Sequence, residues 1–567
     1  MRAHRPAFIV VALLLLAACG SDDADSGDTT AAAANTTAAA GATTAPATTS
    51  AGSAGTTGGS TATSAPATTA SGASGDACTD DRVGGDVTMG MFTQPAAFDP
   101  AKGTASSATG GIELLQFYDS LMAFNPDTGE FTPRVAESLE PDATFQTWTL
   151  KLRPGVTFGN GDVLDAAAVK ASIERFIAMS TGPYKAVASQ ITSMEVPDAS
   201  TVVFTLNGPW AGFPFTLANA PGMIVDTKVA DAAGDAFGAN PTGAGVGAFE
   251  FVSQSANENL VLARKDDWWG GPVCLDTLTF VPIPADQARY ETFQTGGFQA
   301  AYLRDSQVVA NSETDGVPGL QTFTNANNVV LFNAGVSTSP ANDPAVRLAV
   351  AHLINQQDIA DRVAAGTGNP TNAVLGENSL YYDGLEGPAL DPAAAADLIA
   401  EAKGRGWDGK LRLVCAAASD PTAIAIEAEL EAAGIDVDRI SVPDASALVD
   451  NVIIKKDFDM SCWGLNILDE ALWPLINNSL NSANIGTTNY GGYSDAGVDA
   501  ALADLRTAAD PDAVKAAMAT IQERWNENVP AVVLNAGPVR IIHTDELKGI
   551  EGSSNALVFM SGAYVDG

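Results

Sequence analysis

Residues 118–175 read YDSLMAFNPDTGEFTPRVAESLEPDATFQTWTLKLRPGVTFGNGDVLDAAAVKASIER. Asn125-Pro126-Asp127-Thr128-Gly129 is a hairpin turn, because Pro and Gly supply the backbone angles a tight reversal needs. Thr147, Thr149 and Lys151 alternate with Trp148, Leu150 and Leu152, the period-two pattern of a half-buried strand. Pro154-Gly155 ends that strand. Asp165 is placed to cap a helix whose apolar side carries Val169, Ile173 and Phe176. Hairpin, strand and helix in close succession predict a mixed α/β chain.

With Phe98-Asp99-Pro100 upstream, the same stretch resembles the family-5 solute-binding proteins of bacterial ABC importers, the peptide/nickel type. Their pattern is an L-D-P turn, then Y-D-x-L, a short hairpin ending in P-x-L-A-E-S, then W-T-F-x-L-R-x-G-V-x-F-x-x-G, and a helix closing on S-x-E-R. Here Phe98 stands for the leucine and Asn160 precedes Gly161. The resemblance implies an α/β, two-lobed periplasmic-binding-protein-like fold of type II, in the large cluster with an extra subdomain. It also implies that two hinge crossings join the lobes. These signature residues are read as builders of the scaffold rather than as ligand contacts.

The N-terminus points out of the cytoplasm. Arg2, His4 and Arg5 precede an apolar run from Ala7 to Ala18, too short to span a bilayer and suited to a signal-peptide core (residues 1–18). The run ends Leu16-Ala17-Ala18-Cys19, which looks like a lipoprotein cleavage box with Cys19 as the lipidated thiol. Residues 19–77 follow as a tether of Ala, Thr, Gly and Ser with no aromatic and no large aliphatic side chain, a composition that predicts disorder. As a flexible coil it would reach roughly 40 Å, enough to hold a globular body near a membrane partner.

The formal charge of −38 disfavours nucleic acid, whose phosphates need Lys and Arg. Four cysteines remain after Cys19, and in an exported chain an even number suggests disulfides. Cys415 and Cys462 each end a strand-like run, and neighbouring parallel strands would favour their pairing, leaving Cys78 with Cys274.

Asp86 to Phe92 reads as the first strand and Val202 to Leu206 as another. The loop Thr242 to Phe249 is glycine-rich, but no Lys-Ser/Thr follows it and it runs into a strand, so it is not read as a phosphate loop. Trp268-Trp269 read as packing. Asp343 through Ile359 resembles a helix of the family, with Asn355-Gln356-Gln357 departing from its wording. Leu411–Cys415, a helix near Pro421–Ala433, Ile435–Ile440 and Phe458–Trp463 then give a βαβ rhythm and a parallel sheet. Two similar runs, Val329 to Gly335 and Val532 to Gly537, bracket this region and are taken as the hinge crossings. The expected organisation is lobe I with its subdomain over 78–330, lobe II over 331–534, and a return to lobe I over 535–567.

The resemblance places the ligand between the lobes. One candidate wall is Thr93, Gln94 and Pro95, where the family's backbone pairs with an extended ligand. The other is Trp463, Gly464, Asn466 and Asp469, where the family has G-W-x-x-D and peptide binders set the Asp against the ligand's amino terminus. Leu465 replaces that Trp, and the carboxylate is shifted by one position to Asp469, read either as a ligand contact or as a solvated loop residue. Tyr381 and Tyr382 are candidate pocket walls.

The function implied is an extracytoplasmic lipoprotein on the outer face of the cytoplasmic membrane, a monomer without cofactor. It captures an oligopeptide-like solute for an ABC permease and ATPase. A receptor or chaperone on the same fold, or a binder of a sugar or metal chelate, is the alternative. Catalysis is disfavoured: G-x-S-x-G, S-x-x-K and H-E-x-x-H do not occur. A dedicated metal site is disfavoured too, because the histidines are only His4, His352 and His543.

Overall fold

The structure is a computed structural model that describes residues 78–566 apart from 80–81 and 107–108. The expected signal peptide, Cys19 and the tether lie outside the described residues. Among the described residues no helix is long and apolar enough to cross a membrane.

A ten-stranded sheet runs through the molecule. From one edge its strands are Asp436–Val442, Lys410–Ala416, Met460–Trp463, Gly319–Phe332, Ala531–His543, Ala300–Leu303, Asp86–Met91, Thr277–Pro282, Asn259–Arg264 and Phe249–Ser255. The central pair, Gly319–Phe332 and Ala531–His543, is long and antiparallel. One half of it pairs with the strands of lobe I and the other with those of lobe II. The two runs read as crossings are therefore the lobe II ends of longer strands. Their register breaks near Asn328, opposite Asn535.

Lobe I also carries an antiparallel four-stranded sheet and the hairpin Met122–Asn125 with Glu130–Pro133. In the strand Thr147–Leu152 the alternation holds, with Trp148, Leu150 and Leu152 buried. Asp165 caps the helix Ala166–Met179 by accepting from the Ala168 N–H. The signature residues tie this region together. Arg175 grips the fully buried Asp99 through two parallel bonds of 2.9 and 2.6 Å. Arg134 Nε donates to Asp119 at 2.5 Å, and the Tyr118 hydroxyl donates to the Phe98 carbonyl at 2.8 Å. A buried carboxylate needs such a partner, which gives these charged positions a structural reason. Gly245 and Gly247 lie against the backbone of Phe117 and Gln116, where any Cβ would collide with a carbonyl.

In lobe II, Lys410–Ala416 runs parallel to both Asp436–Val442 and Met460–Trp463. Cys415 is bonded to Cys462, and Cys78 to Cys274. The helix expected over Asp343 to Ile359 is two helices, Pro344–Ala351 and Gln356–Ala364. The break follows from Asn355, whose side chain accepts from the N–H groups of Gln357 and Asp358 and so starts a new helix.

Candidate functional site

Strand direction decides what the lobes present to each other. Ala531–His543 runs from lobe II into lobe I, and Ala300–Leu303 pairs with it antiparallel. The Leu303 end therefore points toward lobe II. Asp86–Met91 is parallel to Ala300–Leu303, and Thr277–Pro282 to Asp86–Met91, so Met91 and Pro282 point the same way. On the other side, Met460–Trp463 is antiparallel to Gly319–Phe332, so Trp463 points back toward lobe I, and Ala416 and Val442 with it. The carboxyl ends of two sets of parallel strands thus face each other across the crossing pair. In open α/β sheets ligands bind in the crevice outside such ends.

The residues after these ends form the walls. On lobe I they are Phe92 to Pro95, Ile283-Pro284 and Arg304. Gln94 spends its amide within the lobe, donating to the Ser255 and Asn259 carbonyls at 3.2 and 3.3 Å and accepting from the Asn257 N–H at 3.0 Å. Its side chain pins the wall to the hairpin at the sheet edge. Buried Arg289 stiffens the same wall, donating to the carbonyls of Ile283, Pro284 and Tyr302.

On lobe II, Leu465 and Ile467 donate backbone N–H groups to the Ala326 and Asn325 carbonyls at 3.1 and 2.9 Å. The loop after the strand is thereby zipped onto the first crossing. Gly464 lies so close to the Asn327 carbonyl that a Cβ would sit 2.6 Å from it. Asn466 turns the chain at φ 51°, a conformation Asn tolerates. Trp463 is 5% exposed and packs edge-on against Tyr490 at 5.9 Å, so its ring belongs mainly to the core. It also borders a small groove with Ala416, Ser419, Thr422 and Leu448.

A larger groove, about 720 Å³ with its open mouth included, lies between the lobes. It is lined by Gln321 to Thr324 and Val539 of the crossings, by Phe124 and Asn555 of lobe I, and by Leu468, Asp469 and Glu470 of lobe II. Asp469 accepts from Asn325 Nδ2 at 3.0 Å, Ser379 Oγ at 2.7 Å and the Leu380 N–H at 2.7 Å. Burial still pushes its carboxyl above the usual range, and the three donors only partly pull it back. Tyr381 stands half-buried in the same segment, its phenol pushed up by burial and by the Asp469 charge. The Tyr382 hydroxyl instead bonds Glu386 at 2.5 Å, away from Asp469.

Sequence reasoning missed Glu470. Its carboxylate accepts from the Asn555 N–H at 2.6 Å and Ser554 Oγ at 3.1 Å, joining lobe II to the C-terminal segment, and burial pushes it up as well. It also missed the contact between the subdomain and lobe II, where Trp210 and Trp473 lie 5.3 Å apart and the Arg506 guanidinium sits 4.5 Å above Trp473. Neither contact has a sequence signal beyond the aromatics themselves. Among the described residues no group of His, Cys, Asp and Glu is arranged to hold a metal ion.

The sequence profile of the bacterial extracellular solute-binding proteins, family 5 middle, matches residues 130–487. The glutathione-binding protein GsiB of Pectobacterium atrosepticum is 27% identical over 294 residues, which make up 50% of this chain and 55% of that protein. The match thus spans little more than half of that relative. Protein XP55 of Streptomyces lividans is 26% identical over 483 residues, 81% of this chain and 84% of that protein. Among solved structures, the periplasmic binding protein DppA of Helicobacter pylori, in complex with the peptide STSA, superposes with a TM-score of 0.67 at 23% identity. That alignment covers 86% of this chain and 99% of DppA. At that identity the likeness concerns the two-lobed fold.

Proposed function

The chain belongs to the bacterial extracellular solute-binding proteins of family 5, and on that premise we propose that it captures a short peptide between its lobes and hands it to the permease of an ABC importer. The observation that carries this reading is the opposition of the two sets of strand ends, with Phe92 to Pro95 on one side and Trp463 to Asp469 on the other. A solute lying there touches both lobes only when they are closed, so it favours closure by population shift. Asp469 is proposed as the contact for the peptide's ammonium group. Its carboxylate lines the groove, has no ion-pair partner among the described residues, and has used three of its roughly four acceptor directions. A peptide ligand also agrees with the names of the relatives, one a glutathione-binding protein and one solved with a tetrapeptide. Thr93 and Pro95 are proposed to meet the peptide backbone.

The proposal includes anchoring through Cys19 on the outer face of the cytoplasmic membrane, with the protein working as a monomer over lobes 78–330 and 331–534 and the return over 535–567. Membrane fractionation of Cys19→Ser tests the anchor: the variant should leave the membrane, and retention after a salt wash would refute it. The capture itself is tested by native mass spectrometry of the full chain with a pool of random pentapeptides. One peptide per chain is expected. Only the bare protein mass at saturating pool would refute peptide capture.

A further inference from the structure

We propose that the guanidinium of Arg304 is the anchor on lobe I for the solute's carboxylate. This rests on the peptide-capture reading above and adds the second charge that the cleft is built to meet. Arg304 follows the last residue of Ala300–Leu303, so it stands at the edge of lobe I that faces lobe II. Along that strand Ala300 and Tyr302 turn to the core shared by the lobes, whereas Ala301 and Leu303 turn to the other face. Strand alternation places Arg304 on the shared side, and the antiparallel register that pairs Leu303 with Arg540 continues toward Val539, which lines the interlobe groove.

The side chain is held but not neutralised. Its guanidinium carbon lies 3.7 Å above the ring of Phe92, the residue just before Thr93. Its backbone N–H donates to Asp286 Oδ2 at 2.5 Å, and that of Asp305 to the same oxygen at 2.7 Å. The nearby carboxylates are already engaged. Asp286 also pairs with Arg289, and Asp305 caps the next helix by accepting from the Gln307 and Val308 N–H groups at 3.1 and 3.0 Å.

Among the described residues the Arg304 guanidinium donates to no acceptor and joins no ion pair. This occurs in a chain with 67 acidic residues against 29 Lys and Arg, where Arg134, Arg175, Arg412 and Arg524 all find carboxylates. Stacking on an aromatic face orients the plane of a guanidinium and leaves its edge donors free. That edge matches the two oxygens of a carboxylate, as a lysine ammonium would not.

The test offers the full chain an equimolar pool of random pentapeptides, half with free C-terminal carboxylates and half C-terminally amidated, read by native mass spectrometry. The wild type should take the acid form over the amide by about tenfold, the scale of one charge-assisted bidentate contact. Arg304→Gln should capture both forms equally, and Arg304→Lys should keep part of the preference. Because among the described residues the guanidinium makes no hydrogen bond or ion pair and only stacks on Phe92, Arg304→Gln should unfold close to the wild-type temperature. Equal capture of acid and amide by the wild type overturns the inference and leaves peptide capture standing. So does an acid preference that survives in a folded Arg304→Gln. Capture of neither form by the wild type overturns both.

Discussion

The side-chain carbonyl of Asn535 accepts from both the backbone N–H and the side-chain amide of Asn328, at 3.1 Å each. The two residues sit where the register of the crossing strands breaks. A ladder that loses its regular bonds needs side chains to satisfy its backbone, and here one asparagine does so across the pair. This is also the point where the sheet passes from one lobe to the other, a suitable place for rotation.

Asn535→Ala removes the acceptor for two donors of Asn328. The expected cost is about 1–3 kcal/mol in denaturant unfolding, because a half-buried backbone N–H loses its partner. A change under a few tenths of a kcal/mol would show that the crossing does not depend on this bond.

Trp463→Ala separates core from pocket. With the ring 5% exposed and packed on Tyr490, the substitution is expected to cost about 3–5 kcal/mol of stability. A fully stable variant with weakened peptide capture would place the ring in the ligand pocket instead.

Glu113 makes the fold sensitive to pH. It is fully buried on the helix Gly111–Tyr118, its Oε2 has no partner among the described residues, and burial pushes its carboxyl from 4.5 up to about 8. Below the unfolded value both states hold the proton and nothing is lost. Between 4.5 and about 8 the unfolded chain ionises while the folded one does not, so stability falls as pH rises through that window. Glu113→Gln should therefore raise stability at high pH, on the order of a few kcal/mol, and change little below the unfolded value. Denaturant midpoints across the pH range check this; a variant less stable than wild type at high pH would contradict it.

Asp469→Asn removes the charge proposed for the ammonium contact. Capture of peptides with a free amino terminus should weaken by about tenfold or more, and capture of N-acetylated peptides should change far less. Equal effects on both would assign Asp469 to positioning the segment Ser379-Leu380 alone.

Much of the scaffold was legible because its signature residues bond one another. Asp99 with Arg175, Asp119 with Arg134, and Tyr118 with the Phe98 carbonyl are separate stretches of sequence brought together by buried polar pairs. The strand Thr147–Leu152 and the Asp165 cap were legible because period and capping are local properties. The break at Asn355 was not, since Asn both continues and starts helices, and only the folded chain, with the Asn355 side chain capping Gln357 and Asp358 and its own N–H donated to Glu429, shows which applies here. The site was legible only in outline. Asp469 and Trp463 were named from wording, but their hydrogen bonds and burial come from Asn325, Ser379 and Tyr490, distant in sequence. Arg304 carries no local pattern, and its lack of a hydrogen-bond or ion-pair partner among the described residues is a fact of the folded chain.

The central claim, capture between two closing lobes, is tested most directly by hydrogen–deuterium exchange of the full chain with and without a saturating pentapeptide pool. The account predicts that exchange slows together in residues 92–95 and 463–469, on opposite walls, while the helix Pro511–Asn528 is unchanged. Protection confined to one wall, or absent from both while native mass spectrometry shows bound peptide, would contradict it.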